Sequence, residues 1–182
     1  MSLWLVRHAR PLVEPGICYG ALDLAADCDH TQASAMALAA VLPAHSTVQV
    51  SPLLRCRQLA QALAGLRVDL YFSEDARLRE MDFGCWEGVP WDQIPRAALD
   101  AWTADFGSHR FGGRESANEV LARVGDAWDE RCAAPPGGPN VVWISHAGVL
   151  RALRLLQQGQ RRVHGAADWP QGGLDYGAWC AL

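Results

Sequence analysis

Three short apolar segments, each followed closely by basic or imidazole side chains, constrain the fold of this 182-residue chain more than any other feature. They are residues 3–6 before Arg7-His8, residues 48–50 before Ser51 and Arg55, and residues 141–144 before Ser145-His146. Helix-favouring segments lie between them, and this alternation predicts an α/β fold with a mainly parallel sheet and helices on both faces. Ligands of such sheets bind beyond the carboxyl ends of the strands, so the three junctions are predicted to meet at one site.

The side chains at these junctions suit a phosphate group. Arginine makes bidentate, charge-assisted contacts with anionic oxygens, and helix N-termini add backbone N–H donors. We therefore expect Arg7, Arg55 and His146 to hold a phosphate. His8 directly follows the first strand and is the expected nucleophile. Attack requires an unprotonated nitrogen, so its other ring nitrogen should donate to a carbonyl group.

A leaving alkoxide also needs a proton, which the three junctions do not supply. The long loop after the third predicted strand carries three carboxylic acids that could provide it: Glu80, Asp82 and Glu87. Their positions in the loop do not show which of the three is the proton donor.

The composition limits the classes of partner and of chemistry that the protein can have. The net charge of −4 gives no reason to expect nucleic-acid binding, and no apolar run approaches the length of a membrane span. All 16 basic residues are arginines, which excludes a lysine Schiff base and a lysine-containing phosphate loop. A chain of this length without repeats or linkers is expected to form a single domain over residues 1–182.

The cysteine pattern indicates a cytoplasmic protein. Six cysteines are present without a C-x-x-C pair or a leader segment, which is typical of reduced thiols. Cys28 and His30 lack a second ligand pair, so no metal site is expected. The sequence leaves open whether the chain forms a homodimer.

Local patterns predict several boundaries. A helix is expected over residues 31–42, and a second helix is expected to start after an N-cap at Ser51, with Pro52 in its first turn. Short helical pieces are expected around Pro95. A further helix is expected to start at a capping box formed by Ser116 and Glu119. Further strands are expected over residues 68–72 and 174–182.

Four motifs carry a family resemblance: Val6-Arg7-His8, Ser51-Pro52-Leu53-Leu54-Arg55, residues 78–88 (LREMDFGCWEG) and Ser145-His146-Ala147-Gly148. In this order they resemble the histidine phosphatase (phosphoglycerate mutase-like) superfamily. The resemblance implies a three-layer sandwich and a metal-independent phosphatase without a cofactor. It also implies that His8 is phosphorylated, that Arg7, Arg55 and His146 form the phosphate pocket, and that Glu80 donates the proton.

The loop after His8 is most similar to α-ribazole-5′-phosphate phosphatases of cobalamin synthesis. This similarity rests on Cys18-Tyr19-Gly20, which together with Ala147 are the expected substrate-binding residues. A small phosphate ester is the expected partner. A broad-specificity or sugar-phosphate phosphatase, a mutase, and a non-catalytic module that binds phosphorylated ligands remain alternatives.

Overall fold

A five-stranded sheet lies at the centre of the computed structural model, which describes residues 2–135 and 137–182. Its strands are β1 (Leu3–Arg7), β2 (Thr47–Val50), β3 (Tyr71–Glu74), β4 (Val141–Ser145) and β5 (Trp179–Ala181). Their order is β3-β2-β4-β1-β5, and all neighbours are parallel except β5, which runs antiparallel to β1. This mainly parallel sheet confirms the predicted fold class.

Helices cover both faces of the sheet. They are α1 (Cys28–Val41), α2 (Leu54–Leu66), α3 (Arg96–Ala104), α4 (Ala117–Ala133) and α5 (Ala147–Gln157). Helices α1 and α2 bury one face and α4 and α5 bury the other. Side chains of a strand alternate between faces, so Val142 and Ile144 pack towards α1 and α2, whereas Trp143 packs towards α4 and α5.

The three junctions meet as predicted. Strands β2, β4 and β1 are neighbours, with Val50 beside Ile144 and Arg7 beside Ser145. Because these strands are parallel, their carboxyl ends share one edge of the sheet. The residues that follow them are therefore brought together.

The predicted start of α2 was wrong. The helix begins at Leu54, and its N-cap, Leu53, makes no side-chain capping bond. Asp23, from a distant loop, accepts the Leu54 N–H at 2.6 Å and takes the place of a local cap. The Ser51 hydroxyl, predicted to cap the helix, instead contacts His146.

The boundaries of three other elements also differ from the predicted ones. Helix α1 begins at Cys28 because Asp27 accepts the His30 N–H. Strand β3 begins at Tyr71, where pairing with Thr47 starts, and Val68 is exposed. The final strand contains only Trp179–Ala181, and the residues before it form a loop. The capping box at Ser116 and Glu119 and the short helical pieces around Pro95 are confirmed.

Candidate active site

His8 lies just beyond β1 and is almost completely buried, at 2% exposure. Its Nδ1 lies 2.7 Å from the carbonyl oxygen of Ala9, and Arg55 Nε donates to its Nε2 at 3.3 Å. A guanidinium group can only donate, so Nε2 must be the unprotonated nitrogen. Nδ1 then carries the proton and donates to Ala9, which is the tautomer expected of a nucleophile.

The surroundings of His8 keep its ring neutral. Burial, reinforced by the positive charges of Arg55 and Arg7, lowers the pKa of His8 from 6.5 to about 3. The bond to the Ala9 carbonyl raises the pKa but does not outweigh burial. At neutral pH the Nε2 lone pair is therefore free of a proton.

His146 is fully buried beside His8, with 5.0 Å between the ring centres. Ser51 Oγ lies 2.7 Å from its Nε2 and also accepts the Leu53 N–H at 3.4 Å. A hydroxyl can both donate and accept; we assign its proton to the contact with Nε2, which places the His146 proton on Nδ1. Burial, followed by the charge of His8, lowers the pKa of His146 well below 6.5.

The Nδ1 atom of His146 is buried and has no hydrogen-bond partner in the described residues. A buried donor without a partner is costly, and an anionic oxygen from a ligand would satisfy it. The His146 ring does not line the central cavity, although the next two residues, Ala147 and Gly148, do. The structure thus places His146 behind the cavity wall, against His8.

The two predicted arginines are held differently. Arg55 is fully buried and donates through Nη2 to the Gly20 carbonyl at 2.6 Å and through Nη1 to the Leu22 carbonyl at 2.8 Å. Each terminal nitrogen carries two hydrogens, so each keeps one donor for a ligand. Arg7 donates to the Leu174 carbonyl at 2.8 Å, and its buried Nε has no partner among the described residues.

Tyr176 belongs to this site and was missed by sequence reasoning. Its ring lies 3.9 Å from the guanidinium carbon of Arg7 and 5.6 Å from the ring centre of His8. Its hydroxyl lies 2.7 Å from that of Tyr19, whose ring lies 5.6 Å from the Arg55 guanidinium carbon. Burial and this hydrogen bond raise the pKa of Tyr19, so its hydroxyl stays protonated.

Only one of the three candidate acids lines the cavity. The Glu80 carboxylate reaches it and accepts the N–H groups of Met81 and Gly148, both at 3.0 Å. Asp82 accepts the Gly84 N–H in its own loop. The Glu87 carboxylate accepts four backbone N–H groups, those of Gly20, Ala21, Leu22 and Phe83. Asp82 and Glu87 therefore hold loops together.

The loop after His8 also departs from expectation. Tyr19 lines the cavity, but Cys18 is fully buried in a separate apolar cluster with Ile94 and Phe111. Gly20 does not line the cavity either. A Cβ at Gly20 would lie 1.9 Å from the Met81 carbonyl oxygen, so only glycine allows the approach that brings its own carbonyl to Arg55.

The cavity has a volume of about 610 Å³, within the range of small-molecule sites. Across residues 2–135 and 137–182, no three His, Cys, Asp or Glu side chains are grouped so as to hold a metal ion. None of the six cysteines is paired in a disulfide. No helix in the same residues is long and apolar enough to cross a bilayer.

This arrangement of two histidines and two arginines at a parallel sheet edge defines a phosphate-handling class of α/β protein. The chain belongs to the histidine phosphatase superfamily (branch 1), whose family model matches residues 3–177. The superfamily resemblance is thereby confirmed.

Named relatives refine the comparison. The chain is 35% identical over 132 residues to glucosyl-3-phosphoglycerate phosphatase of Mycobacterium tuberculosis, a match covering 65% of this chain and 56% of that protein. The chain thus spans little more than half the length of that relative. A solved structure of mycobacterial glucosyl-3-phosphoglycerate phosphatase has a TM-score of 0.80 at 28% identity, covering 99% of this chain and 88% of that one. A protein from Thermus thermophilus has a TM-score of 0.70 at 28% identity, covering 100% and 93%.

Proposed function

We propose that this protein is a metal-independent phosphomonoesterase that acts on small phosphate esters through a phosphohistidine at His8. The observation that carries the proposal is the fixed tautomer of His8. Its Nε2 can only be an acceptor towards Arg55, and its Nδ1 is bonded to the Ala9 carbonyl. A neutral imidazole with one oriented lone pair in a cavity lined by arginines is prepared for attack on phosphorus.

The first step forms a bond between His8 Nε2 and phosphorus and breaks the bond between phosphorus and the ester oxygen. Arg7 and Arg55, which line the cavity, stabilise the charge on the non-bridging oxygens. These donors supply the positive charge that a metal ion would otherwise provide. His146, which lies behind the lining, packs against the nucleophile His8. Protonated Glu80 gives its proton to the leaving oxygen.

The second step returns the enzyme to its starting state. Water attacks phosphorus, the bond to Nε2 breaks, and the Glu80 carboxylate takes up a proton from the water. Inorganic phosphate then leaves. In support of a phosphate-sized site, the mycobacterial phosphatase of similar fold has been solved with inorganic phosphate and with VO3.

For the substrate we propose α-ribazole 5′-phosphate, on the similarity of the loop that carries Tyr19. A sugar-phosphate ester is the second candidate, because the named relatives are glucosyl-3-phosphoglycerate phosphatases. A mutase or a non-catalytic binding module is less well supported, since the chain offers little sequence for a lid that keeps water out, and both His8 and Glu80 are present. The cytoplasmic location stays a prediction, and whether the chain forms a homodimer stays open.

Release of phosphate from p-nitrophenyl phosphate after exhaustive chelation tests the reaction class. We expect full activity with EDTA, inhibition by vanadate, and loss of activity in His8→Asn. His164→Asn is the matched control, because His164 is exposed and distant in sequence from the three junctions. Activity that disappeared on chelation and returned with Mg²⁺ or Zn²⁺ would contradict the proposal.

A further inference from the structure

Besides Tyr19, five aromatic side chains line the cavity: Phe83, Trp91, Trp102, Phe106 and Trp169. We call them the aromatic wall. None of them belongs to the three junctions, and the phosphate chemistry does not use them. Three of the five are tryptophans, which offer large flat faces for stacking.

The aromatic wall is a connected surface with firm support. Trp102 is stacked on Phe111 at 4.4 Å between ring centres and 15° between planes, and on Phe106 at 5.4 Å. Phe106 in turn lies 5.9 Å from Trp169. Phe111 is fully buried, so it backs the wall from inside the protein. The faces of Trp102 and Trp169 are therefore held without a ligand.

The wall is continuous with the phosphate end of the cavity. The ring centre of Phe83 lies 6.1 Å from that of Trp102. Phe83 also packs closely against Gly20, because a Cβ added at Gly20 would lie 2.9 Å from the Phe83 ring. The Gly20 carbonyl is the one that accepts Arg55. The wall therefore begins beside the loop that holds Arg55, and both line the same cavity.

The chemistry of the lining decides what the alcohol part of a substrate can be. The charged and polar lining side chains are Arg7, His8, Tyr19, Arg55, Glu80, Arg151 and Asp175, whereas the others are apolar: Ile17, Met81, Ala117, Val120, Ala147, Leu174 and the aromatic wall. No Asn, Gln, Ser or Thr is among the described lining residues. The ring faces of the aromatic wall accept no ordinary hydrogen bond, so sugar hydroxyls buried against the wall itself would lose water without gaining partners there, which is unfavourable.

We propose that the aromatic wall is a specificity subsite for a planar aromatic group on the alcohol part of the substrate. The inference rests on the proposed function, because it places the phosphate at His8. Trp102 and Trp169 are the specificity-determining residues: Trp169 acts by stacking on the flat group, and Trp102 acts through the part of its ring that Phe106 and Phe111 leave uncovered. The substrate class is thus a phosphate ester of an aryl-bearing alcohol.

Binding and turnover test the subsite separately. Calorimetry compares 2-phenylethylphosphonate with methylphosphonate, neither of which is hydrolysed, and kinetics compares 2-phenylethyl phosphate with glycerol 3-phosphate. Stacking on one ring contributes about 1–3 kcal/mol, or about fivefold or more. With two rings in contact, we expect the aryl ligands to be favoured at least about tenfold in Kd and in kcat/KM. Trp102→Leu and Trp169→Leu should each reduce that preference about fivefold or more.

Controls separate the subsite from the fold and from the reaction. Trp128→Leu, a half-buried tryptophan of α4 outside the cavity, should keep the preference. Inhibition by inorganic phosphate should be equal in all variants. Equal binding of the two phosphonates, or a wild-type preference for glucose 6-phosphate over 2-phenylethyl phosphate, would overturn the subsite. Failure to hydrolyse every ester would overturn only the proposed function, because the phosphonate comparison would still stand.

Discussion

At the scale of single residues, the site depends on which ring nitrogen of His8 and which ring nitrogen of His146 carries the proton. The proton of His8 is placed on Nδ1 by the Ala9 carbonyl and excluded from Nε2 by Arg55. The sequence predicted this tautomer, because a nucleophilic histidine after a strand has a nearby carbonyl to bond. The sequence could not reveal the contact between Ser51 and His146, which lie 95 residues apart.

Replacement of Glu80 by Gln tests its role as the proton donor. The amide cannot protonate an alkoxide, so kcat with alkyl phosphates should fall about 10²–10⁴-fold. The phosphorylation step with p-nitrophenyl phosphate should be affected much less, because its leaving group scarcely needs a proton. Pre-steady-state kinetics on both esters measures this step.

Glu74→Gln, an exposed carboxylate on β3, is the control for that change and should leave both rates unaltered. Equal losses with the two esters in the phosphorylation step would remove Glu80 from the role. Asp82 and Glu87 are poor replacements, since neither carboxylate lines the cavity.

At the scale of elements, the start of α5 positions the acid. The Gly148 N–H donates to Glu80 Oε2, and a Cβ at Gly148 would lie 2.2 Å from Glu80 Oε1. The strand-to-helix junctions were predictable because each is a local pattern of apolar strand, polar residue and helix. The loop that carries Leu174 and Tyr176 was not, because its course is set by distant contacts with Arg7 and Tyr19.

Gly148→Ala should therefore displace the Glu80 carboxylate while keeping the helix. Alanine favours helix formation by about 1 kcal/mol over glycine, so we expect little loss of stability. Turnover of alkyl phosphates should fall at least about tenfold, with a smaller effect on p-nitrophenyl phosphate, as partial loss of general-acid catalysis requires. Thermal unfolding and kcat on the two esters measure both effects.

Gly65→Ala in α2 is the matched control, because a Cβ there meets no atom within 4 Å. It should retain full activity. Normal alkyl-phosphate turnover in Gly148→Ala would show that the helix start does not position Glu80.

At the scale of the whole molecule, two neutral buried histidines couple stability to pH. In the unfolded chain they take up protons below about pH 6.5, whereas the folded chain keeps His8 neutral down to about pH 3. The unfolded state therefore binds more protons between these values, and the free energy of unfolding falls as the pH falls. The contribution is fully present above pH 6.5.

Each such histidine should lower the free energy of unfolding by about 1.4 kcal/mol per pH unit below its unfolded pKa. Urea unfolding at pH 7 and pH 5 should show this loss in the wild type. His8→Asn should reduce the change in the free energy of unfolding with pH by the contribution of one histidine, whatever the stability of the variant at pH 7. An unchanged slope in His8→Asn would contradict the assignment of a neutral ring.

The central claim is that phosphate passes through His8, and rapid quenching with a ³²P-labelled ester tests it most directly. The account predicts a phosphoenzyme that is labile in acid and stable in alkali, with the label on the peptide that contains His8. The label should be absent in His8→Asn and retained in His164→Asn. Label on His146, or full turnover without any labelled enzyme under single-turnover conditions, would contradict the account.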